Sequence, residues 1–200
     1  RGTAYGVVTL SEALGVSSWY WWADVPVKKR NKVYVDADYV SKQPSVKYRG
    51  IFINDEDWGL KPWASKNYER GLGDIGPKTY AKVCELLLRL KANMLAPAMH
   101  PCTGAFYSHP ENKLVADTFG IIITTSHCEP LLLNNAAKSE WDIQKDGDWN
   151  YMTNGENIRK KWDQRLSEAS KYENIYTVAM RGLHDTGLRG DISEHQRVNR

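Results

Sequence analysis

The stretch KYRGIFINDED, residues 47–57, decides how this chain is read. A central apolar run around Tyr48, Ile51, Phe52 and Ile53 alternates as a strand does, then stops at four polar groups, Asn54, Asp55, Glu56 and Asp57. A strand that ends in carboxylates points to a site at its carboxyl end rather than to a continuing sheet surface.

The same pattern recurs downstream. PKTYAKVCELLLRLKAN predicts a helix with Pro77 in its first turn and Val83, Leu86, Leu87, Leu90 and Met94 at helical spacing. MLAPAMH reads as a strand ending in His100, and a short helix around LVADTFG (114–120) leads to strand IIITTS, which ends in His127, Cys128 and Glu129. A long helix is predicted from a capping box of Thr153 and Glu156, with Ile158, Trp162, Leu166 and Ala169 on one face. It feeds strand NIYTVAM, followed by Arg181, Gly182, His184 and Asp185. Four strand–helix units therefore follow one another, with strands apolar enough to be buried on both faces and polar groups at each carboxyl end. In a (β/α)8 barrel those ends share one face, where active sites lie, so Asn54, Asp55 and Glu56 are expected to stand at its rim. A doubly wound sheet is disfavoured because the first strand lacks a glycine-rich phosphate cradle at its end; GLGDIG (71–76) comes too late to serve.

Upstream, GTAYGVVTLSEALGV predicts a helix with Ala4, Val7, Val8 and Leu14 on its apolar face, ending near Gly15. KVYVDADYV (32–40) alternates like a short strand, and SKQPS marks a boundary. The aromatic cluster in SSWYWWADVP (17–26) is read chiefly as core packing, with sugar stacking by Trp19, Trp21 and Trp22 as the alternative.

Bulk properties narrow the function classes. The 200 residues carry 42% hydrophobic and 26% charged side chains and a net charge of +3, with KKR (28–30) the densest basic run, so nucleic acid is not an expected partner. No stretch approaches the roughly 18 apolar residues of a membrane span, and no leader is visible at the start. Three cysteines fit neither a disulfide framework nor a paired zinc motif; Cys84 falls in a helix pattern and is expected in the core.

The strings RGTAYGVVTLSEALGVSSWYWWADVPVKKR, KYRGIFINDED, LLLRLKANMLAPAM, TTSHCEP and MRG, in this order over about residues 1–188, resemble glycoside hydrolase family 115, the α-glucuronidases of xylan breakdown. The resemblance implies an α/β fold: residues 1–45 as the end of a small α/β domain, 46–190 as the first four units of a TIM-barrel catalytic domain, and 191–200 as a polar tail. It implies removal, with inversion, of glucuronic acid or its 4-O-methyl ether from α-1,2 branches of glucuronoxylan or its oligosaccharides. A secreted or periplasmic location and a homodimer of the full-length protein also follow from the resemblance; no cofactor is expected, and no metal, since no H-x-H or H-E-x-x-H spacing occurs. Asp55, His127, Arg181 and Asp185 match its pocket motifs, and Asn54, Glu56 and Glu129 match neighbouring motif positions. Asp55, Asp185 and Glu56 are accordingly the catalytic candidates, and Asn54, His100, His127, Glu129 and Arg181 the substrate-binding ones. The expected catalytic acid would lie on a later strand, beyond residue 200. This chain departs from the family pattern at His100, often Trp, at Cys128, which replaces the second His of SHHEP, and at LHDTG (183–187), which stands for a more acidic run. Adjacent Asp55 and Glu56 cannot both face a substrate from one strand. Two readings compete: a metal-dependent barrel hydrolase using His100, His127, Asp55 and Asp185, and a non-catalytic sugar-binding module.

Overall fold

A computed structural model describes residues 1–36, 38–178, 181–188 and 193. Three short strands, β1 (Gly50–Phe52), β2 (Met94–Ala96) and β3 (Ile122–Ile123), pair in parallel in the order β1-β2-β3. The register places Ile51 beside Leu95 and Leu95 beside Ile123. Asn174 then makes a parallel bridge to Ile123, whose carbonyl accepts the Ile175 N–H at 2.9 Å. Neighbours in the sheet are thus neighbours in sequence, without the reversal of strand order that defines a doubly wound sheet. This is a mixed α/β chain whose order is compatible with the opening arc of a (β/α)8 barrel. Of the fourth predicted strand, Ala179 and Met180 lie outside the described residues.

Helices fill the connections: α1 (Gly2–Ala13) precedes the sheet, α2 (Leu60–Trp63) and α3 (Pro77–Arg89) follow β1, and α4 (Pro110–Phe119) follows β2. The short α5 (Ile143–Asp146) and long α6 (Tyr151–Ala169) come after β3. Pro77 opens α3, because its fixed φ and missing N–H suit a first turn. The side chain that caps α3 is Glu69: its carboxylate accepts the backbone N–H groups of Gly76, Lys78 and Thr79 at 2.9–3.0 Å. An acidic group of the chain itself therefore fills the helix end that GLGDIG would have offered to a phosphate. Tyr80, Val83, Cys84 and Leu87 lie on one face of α3 and pack with Leu95, Ile123 and Ala116 in the main core. Burial pushes the Cys84 thiol up to about 12, as expected of an inert core cysteine.

β1 and β2 approach so closely that a Cβ on Gly50 would fall 2.1 Å from the Met94 carbonyl oxygen, so only glycine fits there. The first segment is strapped to α3 by polar contacts: Tyr20 Oη donates to Glu85 Oε1 at 3.0 Å, and Trp22 Nε1 donates to the Lys82 carbonyl at 3.2 Å. Trp21, Trp22, Trp63 and Tyr68 form a chain of ring contacts 4.9–5.8 Å apart, beside a cavity of about 660 Å3 that Trp21, Trp22 and Trp63 also line. No helix among the described residues is long and apolar enough to cross a membrane.

Four expectations need correction. Residues 32–36 and 38–40 form no strand; Tyr34 and Val40 stand 86% and 88% exposed, since alternation without a neighbouring strand leaves the backbone nothing to pair with. Ile51 and Phe52 of β1 are exposed rather than doubly buried, because only β2 pairs with that strand among the described residues. The cap of α6 is Asn150, whose side chain accepts the Met152 N–H, not the Thr153–Glu156 box; Asn154 breaks the helical geometry where the box would have formed. Along α1, Tyr5 packs on the core and donates to the Ala92 carbonyl at 2.9 Å, while Val7 is exposed.

Candidate active site

Asp55 lies just past β1 with φ 54° and ψ 34°, a left-handed conformation uncommon for a residue with a Cβ. The Trp58 N–H bonds its carbonyl at 3.1 Å and closes a tight turn, Glu56–Trp58. The turn sends successive side chains different ways. Asn54, Asp55 and Asp57 are exposed, whereas Glu56 is 2% exposed, which corrects its expected place at the rim. One Glu56 oxygen accepts the His100 backbone N–H at 2.6 Å and so ties the end of β1 to the loop after β2. His100 Nδ1 lies 3.0 Å from Asp57 Oδ1.

The next two loops build the second half. His127 Nε2 sits 3.2 Å from Asp185 Oδ1, and the Arg181 guanidinium forms an ion pair with the same oxygen. Arg181 also accepts Trp149 Nε1–H on its carbonyl at 3.2 Å, which fixes its backbone beneath the site. The halves meet through His184, whose ring centroid is 6.2 Å from that of His100. Loops after all four strand positions thus converge on one patch: Asp55, Asp57 and His100 on one side, His127, Arg181 and Asp185 on the other. The four ligands imagined for a metal hydrolase are split between these sides, where donor atoms group as Asp55–Asp57–His100 and His127–Cys128–Asp185.

Reading the sequence alone missed two groups that hold these loops. Asn134 and Asn135 are both buried. Asn134 Nδ2 donates to the Met99 carbonyl at 2.9 Å, next to His100. Asn135 donates to the Gly182 carbonyl at 3.2 Å and accepts the His184 N–H at 2.8 Å. Adjacent asparagines in an apolar stretch, LLLNNAA, are the available signal, because buried amides need backbone partners.

Glu129 is 4% exposed under the patch, bonded by the Ser126 N–H and hydroxyl at 3.3 and 3.2 Å. Burial raises its carboxyl to about 8, with the charges of Glu140 and Glu56 adding to the rise. Because the folded value exceeds the ordinary 4.5, the contribution of Glu129 to stability is fully present below pH 4.5 and is lost as pH rises through about 8. Glu129→Gln removes that loss. Urea titrations should show the parent weakening between pH 5 and pH 8 by on the order of 3 kcal/mol relative to the variant. Parallel pH profiles would refute a neutral buried carboxyl.

The model of glycosyl hydrolase family 115 matches residues 41–199. A solved family GH115 4-O-methyl-α-glucuronidase with specificity for decorated arabinogalactans is 42% identical, covers 98% of this chain and superposes with a TM-score of 0.88. The match takes in 26% of that protein, so this chain spans about a quarter of its length. No curated protein sequence matches. A family match over most of its residues, together with the shared backbone, places this chain in glycosyl hydrolase family 115.

Proposed function

We propose that the chain forms part of an α-glucuronidase, a glycoside hydrolase that releases glucuronic acid or its 4-O-methyl ether from α-1,2 branches of glucuronoxylan with inversion. The observation that carries this reading is the convergence of Arg181, Asp185 and His127 with Asp55 and His100 in the loops that follow three parallel strands and the segment bridged to β3. A uronic acid presents a carboxylate and a row of hydroxyls. Arg181 offers the planar fork that suits the carboxylate, while Asp185 holds the guanidinium in place. His127 and His100 offer ring nitrogens to hydroxyls. Inversion needs a carboxylate that activates water and an acid on the opposite side of the glycosidic oxygen, roughly 6.5–9.5 Å away. Asp55, exposed at the rim, takes the base or water-positioning role; Glu56, buried on the His100 backbone, holds the rim in shape. Asn54, exposed beside Asp55, offers its amide to a sugar hydroxyl. Glu129 supports the patch from below rather than touching the sugar.

The 42% identity to an enzyme specific for decorated arabinogalactans favours a second substrate, in which the same uronic acid decorates a galactan backbone. Both belong in one experiment. The full-length protein is incubated with aldouronic oligosaccharides from xylan and with decorated arabinogalactan, and proton NMR follows the released sugar. Release of uronic acid first appearing as the β-anomer is expected. An initial α-anomer would overturn inversion, and release from neither polymer would overturn the function.

A further inference from the structure

Cys128 follows His127 in the chain and faces the same acidic partner. The donor atoms of His127, Cys128 and Asp185 all lie within 4.8 Å of one another. We propose that these three side chains form a binding site for a soft divalent transition-metal ion of the zinc type, and that the bound ion blocks the sugar pocket. The inhibitory half rests on the functional reading above; the metal site does not.

The donor set argues for this class of ion. Thiolate, imidazole and carboxylate are the ligands of zinc, at about 2.0–2.3 Å, and three of them leave a fourth position for water. Such distances require donors roughly 3.3–3.8 Å apart around a tetrahedral ion, so the donors present, all within 4.8 Å of one another, must draw together only modestly. Cys128 is buried, while the His127 and Asp185 side chains are 52% and 59% exposed. Both existing contacts of the Asp185 carboxylate, from His127 and from Arg181, fall on Oδ1. Binding would release the thiol proton to solvent and draw Asp185 away from Arg181. The guanidinium would lose the partner that aims it, and the ion's water would occupy space meant for the uronate. By contrast, the Asp55–Asp57–His100 group is an acidic surface cluster of mostly oxygen donors, with nothing further to mark it as a cation site.

Cobalt(II) reports on such a site directly, because a thiolate ligand gives a charge-transfer absorption in the near ultraviolet. The full-length protein carrying Cys102→Ser, which removes the exposed thiol, is titrated with cobalt(II). The band is expected there and should vanish with Cys128→Ser added; His127→Gln should weaken binding at least tenfold. A band that survives Cys128→Ser, or no band in the starting protein, overturns the site. Zinc should inhibit uronic acid release, with chelator restoring it, and Cys128→Ser should raise the half-inhibitory concentration at least tenfold. A band without inhibition by zinc overturns the blocking role. A band in a protein that releases no uronic acid from either polymer upholds the metal site and defeats the functional reading instead.

Discussion

Asp55→Asn should lower kcat for uronic acid release by about 10^3-fold, in the range expected when a positioned base is lost, while KM changes little. Asp55 is held with positive φ by the turn that Trp58 closes, a conformation that costs on the order of 1 kcal/mol for a residue with a Cβ. Strain of this kind persists where neighbouring structure over-determines it. Here the restraint is Glu56, locked by burial and by the His100 N–H, so that its neighbour must project outward. Asparagine tolerates the same left-handed region, so Asp55→Asn keeps the turn and removes only the basic oxygen. Glu56 supplies the control. Glu56→Gln keeps an oxygen to accept from His100 and should retain activity within about tenfold, whereas Glu56→Leu leaves that N–H without a partner in a buried place. Turnover by Asp55→Asn near the parental rate would end the assignment of this residue as base.

Much of this arrangement could be seen in the sequence because parallel strands advertise themselves twice, by apolar runs and by the polar residues at their ends. The runs at 50–53, 94–96 and 121–123 each emerged as a strand or its edge, and α3 was plain from Pro77 and the spacing of Val83, Leu87 and their neighbours. Where local signals misled, a tertiary contact decided the outcome. Residues 32–40 alternate as well as any strand, yet no described strand lies beside them, and pairing rather than propensity makes a strand. Thr153 and Glu156 fit a capping box, but Asn150 reaches the helix end first. Glu56 and Asp55 are indistinguishable as letters; only the turn after β1 separates a buried anchor from an exposed carboxylate. The supports of the site were least legible. Asn134, Asn135 and Glu140 bond to groups dozens of residues away, and no periodicity predicts such partners.

Arg165→Ala should destabilise the protein by about 3–5 kcal/mol, the cost of leaving a buried charge without its partner. Arg165 projects from α6 into a closed setting where its side chain is 9% exposed and that of Glu140 is 4% exposed. The guanidinium pairs with Glu140, contacts Glu168 Oε2 at 2.6 Å and lies 4.4 Å over the Tyr107 ring. Removing it would leave Glu140 without its charge partner in a buried place, where burial already pushes its carboxyl upward against the pull of Arg165. Burial would then push the Glu140 carboxyl further up. Its other oxygen accepts the Asn134 N–H at 2.7 Å, so the disturbance passes to the asparagine pair that holds Met99, Gly182 and His184. Stability and catalysis should therefore fall together, with kcat reduced in folded Arg165→Ala protein although the mutated side chain reaches no substrate. Arg165→Met combined with Glu140→Gln offers the decisive contrast. It removes both charges while keeping much of the volume and an acceptor for Asn134, and should recover most of the lost stability, as hydrophobic replacement of buried ion pairs often does. Urea denaturation of the three proteins measures this. A loss under about 1 kcal/mol for Arg165→Ala would mean the pair behaves as an exposed one, and no better stability in the double variant would mean Arg165 acts through its packing on Tyr107 instead.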